Sequence, residues 1–233
     1  MLRPQVCVRR KGRRQVVEDM VYCMSDVHGD LEKFHSMLQL IRFSAKDTLF
    51  VIGDIIDRGP DGIEIIEEIM NSGNIIMLLG NHEKMCLDTL GSKPIAGSRG
   101  LWGGNGGSAT YRQLICLCDS EERARIIGFM EKLPGHADIE VGGRKFHLVH
   151  GYPSSTPYER VWGRPESTAK APIEGVTTIV GHTPTCFMTG RNDLPMDIWH
   201  GEGLIDIDCG CGMSARIGRL GCLRLDDMVE FYI

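Results

Sequence analysis

T-L-F-V-I-G-D-I-I-D-R-G, residues Thr48–Gly59, reads as a strand running into a charged turn. Leu49 to Ile52 form a short, continuous, partly β-branched apolar run, the pattern of a strand buried on both faces. Gly53 allows a tight turn, so Asp54 falls at the carboxyl end of that strand. Asp57 and Arg58 follow before Pro60. Open sheets place their chemistry at such ends.

The same grammar recurs on both sides. Val21 to Met24 lead into Ser25-Asp26-Val27-His28-Gly29, and Ile75 to Leu79 into Gly80-Asn81-His82-Glu83. Phe146 to Val149 lead into His150-Gly151, and Thr177 to Val180 into Gly181-His182-Thr183. A single glycine beside a polar residue is ordinary turn chemistry. Taken alone, Asp-x-His is a surface turn, Asp57-Arg58 a structural ion pair, Gly-His-Thr a helix cap, and Asn-His-Glu a helix start with Glu83 favouring the dipole. Five such endings in series, each carrying Asp, Asn or His, point instead to one metal site. His35, His136, His147 and His200 lack that context and are assigned to packing or surface roles.

Between these endings the chain alternates. Asp30 to Ile41 carries apolar residues at helical spacing behind a capping Asp30, and Asp61 to Met70 starts a second helix after Pro60. Glu83 to about Leu90 makes a third, completing a β-α-β-α-β series that favours parallel strands with helices outside. Gly91 to Gly107 reads as a glycine-rich turn, and Ser108 as the cap of a helix reaching Leu117. Glu121 to Leu133 is amphipathic. After Pro134 the chain turns β-rich: Ala137–Val141, a Gly142-Gly143 hairpin, Lys145–Val149, then Val176–Val180, Leu204–Asp208, Gly218–Leu225 and Met228–Ile233. Thr156 to Pro172 is read as irregular. The residues alone thus give an α/β sheet with a β-rich second half. No linker interrupts it, so residues 1–233 are read as a single catalytic domain.

Composition excludes several classes. A net charge of −5 argues against a whole-molecule grip on nucleic acid. No apolar run approaches the roughly 18 residues of a membrane span. The N-terminus is basic, with Arg9, Arg10, Lys11, Arg13 and Arg14, but no apolar segment follows as in a secretory signal. That cluster reads as a solvated edge hairpin turning at Lys11-Gly12. The nine cysteines form no regular framework, and both close pairs are C-x-C, so they are read as reduced, mostly buried thiols in the cytoplasm.

Asp26, His28, Asp54, Asn81, His150 and His182 offer three oxygen donors and three imidazoles. That mixture, without thiolate, suits manganese, iron or zinc more than calcium. Six donors exceed what one open catalytic metal commonly takes, but serve two if a carboxylate is shared. Asp54, on the central strand, is the natural bridge. Two divalent ions less two carboxylates leave roughly +2, suited to a phosphate dianion. Metal binding also makes water acidic enough to attack near neutral pH, consistent with the lack of a G-x-S-x-G nucleophile motif. The leaving alkoxide needs a proton, and His82, paired with Asp57, is placed to give one. Arg58 and Arg164 match phosphate oxygens in bidentate geometry.

These residues resemble the phosphoprotein phosphatase branch of the calcineurin-like metallophosphoesterases, in particular its short bacterial and phage-type members. The branch pattern G-D-x-H-G, G-D-x-x-D-R-G, G-N-H-E, H-G and G-H-T is matched at Ser25–Gly29, Gly53–Gly59, Gly80–Glu83, His150-Gly151 and Gly181–Thr183. Ser25 stands where the branch usually has glycine; it precedes a ligand and is not one. The resemblance implies a mixed two-sheet β-sandwich flanked by helices in four layers. It implies that Asp26, His28 and Asp54 hold one metal, and Asp54, Asn81, His150 and His182 the other. It makes Asp57 and His82 the acid pair, and Arg58 and Arg164 the phosphate clamps, the last resting on the short Trp162-Gly-Arg164 context.

The implied activity is hydrolysis of phosphate monoesters, foremost phosphoserine and phosphothreonine in proteins, by attack of a metal-bridging water with His82 as general acid. Symmetrical dinucleoside polyphosphates such as diadenosine tetraphosphate, and small phosphorylated metabolites, are the alternative substrates. A non-catalytic metal-binding scaffold is the rival of another class, and its mark would be missing ligands.

Overall fold

The computed structural model describes residues 19–213 and 216–233. The basic cluster at residues 9–14, its expected hairpin and the first residues of the expected Val16–Met24 strand lie outside them.

Five strands form the first sheet, in the order β10-β9-β1-β2-β3. They are β1 (Val21–Met24), β2 (Thr48–Val51), β3 (Ile75–Met77), β9 (Gly221–Arg224) and β10 (Val229–Tyr232). β1, β2 and β3 run parallel, with Val21 opposite Thr48 and Leu49 opposite Ile75. β9 joins β1 antiparallel, Cys23 opposite Leu223. The second sheet has the order β4-β5-β6-β8-β7. Its strands are β4 (His136–Val141), β5 (Arg144–Val149), β6 (Thr177–Val180), β7 (Trp199–His200) and β8 (Leu204–Asp206). β5, β6 and β8 are parallel, and β4 and β7 are antiparallel edges.

The period-2 alternation of side chains sorts these strands into layers. Cys23, Phe50, Ile52, Leu78 and Leu223 of the first sheet pack with Phe146, Leu148, Ile179 and Ile205 of the second, so one core lies between the sheets. The alternate residues Tyr22, Met24, Leu49, Val51 and Cys222 face helices. A smaller cluster, Val149, Val180 and Leu204, lies on the opposite face of the second sheet under Ala169 and Trp199. The two mixed sheets flanked by helices are the sandwich expected from the resemblance.

The helices covering the first sheet are α1 (Leu31–Leu40), α2 (Gly62–Asn71), α3 (Asn81–Leu90) and α6 (Ser120–Met130). Asp30 caps α1 by accepting from the Lys33 amide at 3.0 Å. Phe34 and Met37 are then buried on one stripe. In α2 the buried stripe is Ile63, Ile65, Ile66 and Ile69. Each such side chain contributes about 1.5–3 kcal/mol by leaving water.

Several expected bounds shift. α3 begins at Asn81 and not Glu83, so Asn81 and His82 lie in its first turn. The glycine-rich stretch holds a helix, α4 (Ser98–Gly104). α5 (Ser108–Arg112) starts at Ser108, which makes no capping bond, and continues as a π turn over Gln113–Leu117. Within the segment expected to be irregular lies α7 (Pro157–Trp162), capped by Thr156. α8 (Thr185–Thr189) follows β6. No helix among the described residues is long and apolar enough to cross a membrane. The eight described cysteines are free, six of them buried.

Candidate active site

The parallel strands of both sheets end at a common rim. There the turns after β1 and β2 are tied together: the Asp26 amide donates to the Gly53 carbonyl at 3.2 Å and that of His28 to the Asp54 carbonyl at 3.0 Å. The second sheet is joined in the same way, the Gly181 amide donating to the His150 carbonyl at 2.9 Å and the His182 amide to Asp26 Oδ2 at 3.1 Å. Gly80 admits no side chain, because a Cβ there would lie 2.2 Å from Asp54 Oδ1.

Six of the ten residues singled out from sequence sit in the left-handed region: Asp26, His28, Asp54, Asp57, Arg58 and His182, with φ from 52° to 73°. Non-glycine residues rarely adopt it, and Asp and His less rarely than most. Such conformations persist where surrounding structure over-determines them, and they cluster at functional sites.

The donor atoms converge. Asp54 Oδ2 lies 3.3 Å from His150 Nε2 and 3.9 Å from His28 Nε2. Asp26 Oδ1 is 3.8 Å from His28 Nε2, and Asn81 Oδ1 is 2.9 Å from His150 Nε2. Two ligands each about 2.1 Å from one ion stand roughly 3–3.5 Å apart, close to these spacings. His28 Nδ1 lies 3.1 Å from the Ile56 carbonyl and His150 Nδ1 2.7 Å from that of Ile52. Each carbonyl holds the Nδ1 proton and turns Nε2 toward the cluster, a common arrangement for metal-ligating histidine. His182 Nε2 is buried without a hydrogen-bond partner, while its donor triad with Asp54 and His150 spans less than 4.8 Å. An unpaired buried imidazole nitrogen aimed at carboxylates fits a cation site.

Electrostatics agree. Burial opposes the Asp54 charge, but His150 and His82 outweigh it and hold that carboxyl well below its usual range. Burial also opposes charge on His150, yet Asp54 and Asp26 push it up to about 10. Burial, aided by His150, pulls His182 down to about 3, and burial likewise lowers His28. The cluster therefore attracts positive charge: His150 takes up a proton that a metal ion there would displace, while His28 and His182 stay neutral, the form that ligates metal.

Beside it stands the second pair. His82 Nδ1–H donates to Asp57 Oδ2 at 2.7 Å, and both residues are buried. Burial works against the imidazolium, but Asp54 and Asp57 raise the His82 pKa above its ordinary value. Arg58 Nη2 lies 3.4 Å from His82 Nε2; its charge opposes a metal ion on that nitrogen and also works against the imidazolium, though less than the two carboxylates favour it, and His82 comes within 4.8 Å of His28 and Asp54. Arg58 lines a cavity of about 960 Å³ together with Asp26, Asp54, Asn81, His82 and His182. Arg164 lines it too, its guanidinium donating to the His182 carbonyl at 3.2 Å. All ten residues thus gather at one cavity or touch a side chain that lines it. His35, His136, His147 and His200 instead pair with Glu68, Asp138 and Glu230 away from it.

Three contributors were missed. Glu83 does more than favour a helix dipole: its buried carboxylate accepts from the amides of Asp54 (2.9 Å), Ile55 (2.9 Å), Ile56 (3.3 Å) and Gly80 (3.1 Å). Burial and the Asp54 charge push Glu83 up to about 7, while those amides favour the anion. Trp102 donates its indole N–H to Asp57 Oδ2 at 2.7 Å. Asp208, buried at the rim after β8, also lines the cavity. Glu83, within the G-N-H-E motif, and Asp208, closing the expected Leu204–Asp208 strand shortly before Gly210, carried a sequence signal; Trp102 did not.

The profile of the calcineurin-like phosphoesterase family matches residues 20–194. A symmetrical bis(5'-nucleosyl)-tetraphosphatase of Erwinia tasmaniensis is 26% identical over 162 residues, 69% of this chain and 52% of that one. Serine/threonine-protein phosphatase 2 of Escherichia coli K12 is 29% identical over 139 residues, 58% of this chain and 60% of that one. The matched stretch thus spans little more than half of these relatives. Among solved structures, a candidate diadenosine tetraphosphatase superposes with TM-score 0.61 at 17% identity over 94% of both chains. A protein serine/threonine phosphatase from Saccharomyces cerevisiae gives 0.57 at 12% identity, covering 94% of this chain and 80% of that one.

Proposed function

Because the chain belongs to the calcineurin-like phosphoesterase family, a family of metal-dependent hydrolases, and carries the motifs of its phosphoprotein phosphatase branch, we propose that it hydrolyses phosphate monoesters on serine and threonine side chains of proteins. The observation that carries the reading is the buried His82–Asp57 pair standing beside Asp54, a carboxylate that the imidazoles of His28, His150 and His182 also approach.

Asp26, His28 and Asp54 would hold one divalent ion, and Asp54, Asn81, His150 and His182 the other; manganese suits this mixture of oxygen and imidazole best, with iron or zinc as alternatives. When bound, the two ions supply positive charge to the phosphate oxygens and make water a competent nucleophile near neutral pH. The protein's own groups do the rest. Arg58 and Arg164 bind phosphate oxygens and fix their orientation. His82 gives its Nε2 proton to the departing serine or threonine oxygen, and Asp57 stabilises the imidazolium from Nδ1. Glu83 keeps the Asp54 turn in place through four backbone amides.

A second reading has its own support: the candidate diadenosine tetraphosphatase matches along nearly the whole chain, and the Erwinia enzyme over most of it. The same site would then cleave a phosphoanhydride. The test is a comparison of kcat/KM on a phosphoserine peptide and on diadenosine tetraphosphate, with manganese-loaded protein. The proposal expects the peptide to be preferred. Preference for the dinucleotide would replace it, and turnover of neither, with both metals bound, would favour a non-catalytic scaffold.

A further inference from the structure

The segment between α3 and α6 contributes the indole that holds Asp57. Trp102, on α4, is 1% exposed, and its Nε1–H meets the same Asp57 oxygen that accepts the His82 proton, each at 2.7 Å. One carboxylate oxygen thus takes two donors from different elements, and their directions set its position. The backbone around it is fixed from the same side. The Asp57 amide donates to Thr110 Oγ1 at 3.0 Å, and the Arg58 amide to the Gly106 carbonyl at 3.1 Å. Both Asp57 and Arg58 have positive φ, which needs outside support. Gly107 is packed so tightly on the indole that a Cβ there would lie 2.3 Å from its ring atoms.

We propose that Trp102 is a positioning residue for proton donation: its indole N–H orients Asp57, which in turn aims His82 at the leaving group. This rests on the reading of His82 as the general acid. The rest of the segment, Thr110, Gly106 and Gly107, forms the buttress that keeps the indole and the strained Asp57-Arg58 pair in register. Misplacing a reacting group by about 1 Å costs up to about a hundredfold in rate.

Trp102→Phe removes the N–H and keeps an aromatic ring. Rates are measured on p-nitrophenyl phosphate, whose leaving group needs no proton, and on a phosphoserine peptide, whose leaving group does. Metal content is measured alongside. The expected result is a fall in kcat of about ten- to a hundredfold on the phosphopeptide, with KM and both metals retained and a much smaller fall on the aryl phosphate. In a His82→Asn background Trp102→Phe should cost nothing further. Equal losses on the two substrates, loss of metal or of the fold, or no loss at all, would overturn the role. Gly107→Ala displaces the indole without removing it; with φ of −72° its backbone accepts alanine, so the same leaving-group dependence is expected and a flat response counts against the buttress. If His82→Asn shows no leaving-group dependence, the acid assignment fails; if it does and Trp102→Phe does not, only the indole's part is lost.

Discussion

Glu83→Gln removes one charge and changes little volume, yet its cost can be worked from contacts. In the native protein Oε1 accepts from the amides of Ile55 and Ile56, and Oε2 from those of Asp54 and Gly80. A glutamine keeps one accepting oxygen. Its amide nitrogen must face the other two N–H groups, donor against donor, whichever way it is turned. Two buried amides are then unsatisfied, at about 1–3 kcal/mol each, so the variant should lose about 2–6 kcal/mol. Against a typical total of about 5–15 kcal/mol that is a large fraction. Urea unfolding of the wild type and variant, both stripped of metal and held well above the Glu83 pKa of about 7 so that the carboxylate is ionised, measures it without contribution from bound ions. The metal-loaded variant should also hold less metal, because the loosened turn is the one that carries Asp54. A difference within about 1 kcal/mol would refute the four-amide clamp, since that is the net worth of about one ordinary hydrogen bond and not the cost of two buried amides left without partners.

Other consequences follow from the same contacts. Asp54→Asn should lower occupancy of both metal positions together, measured as metal per chain after gel filtration; a variant retaining two would contradict a shared carboxylate. Chelation should lower the melting temperature, because a ligand at a thousand times its Kd stabilises by about 4 kcal/mol; an unchanged melting curve with and without manganese would argue against native-state binding.

The site was legible because its signals are local. Each strand run ends within a few residues at a ligand type, and the parallel register then carries those ends to one rim without any long-range choice. The sandwich was not legible from periodicity. Cys23 and Leu223 pair across two hundred residues of chain, and no feature of either segment names its partner. α4 was hidden by its composition: three of its seven residues are glycine, a poor helix former, and its one buried residue, Trp102, is held by tertiary contacts. α7 was hidden in the same way by the polar residues around it, although Thr156 and Pro157 in retrospect supply a cap and a first-turn proline. Glu83 was visible as a residue but not as a clamp, because three of its four partners lie on a turn nearly thirty residues earlier.

The whole account depends on two cations sharing Asp54. Crystals grown with manganese and phosphate, with anomalous scattering collected at the manganese edge, address it directly. The account predicts two anomalous peaks per chain, both within bonding distance of the Asp54 carboxylate, with phosphate against Arg58 and Arg164. A single peak, or two that do not share Asp54, would contradict it.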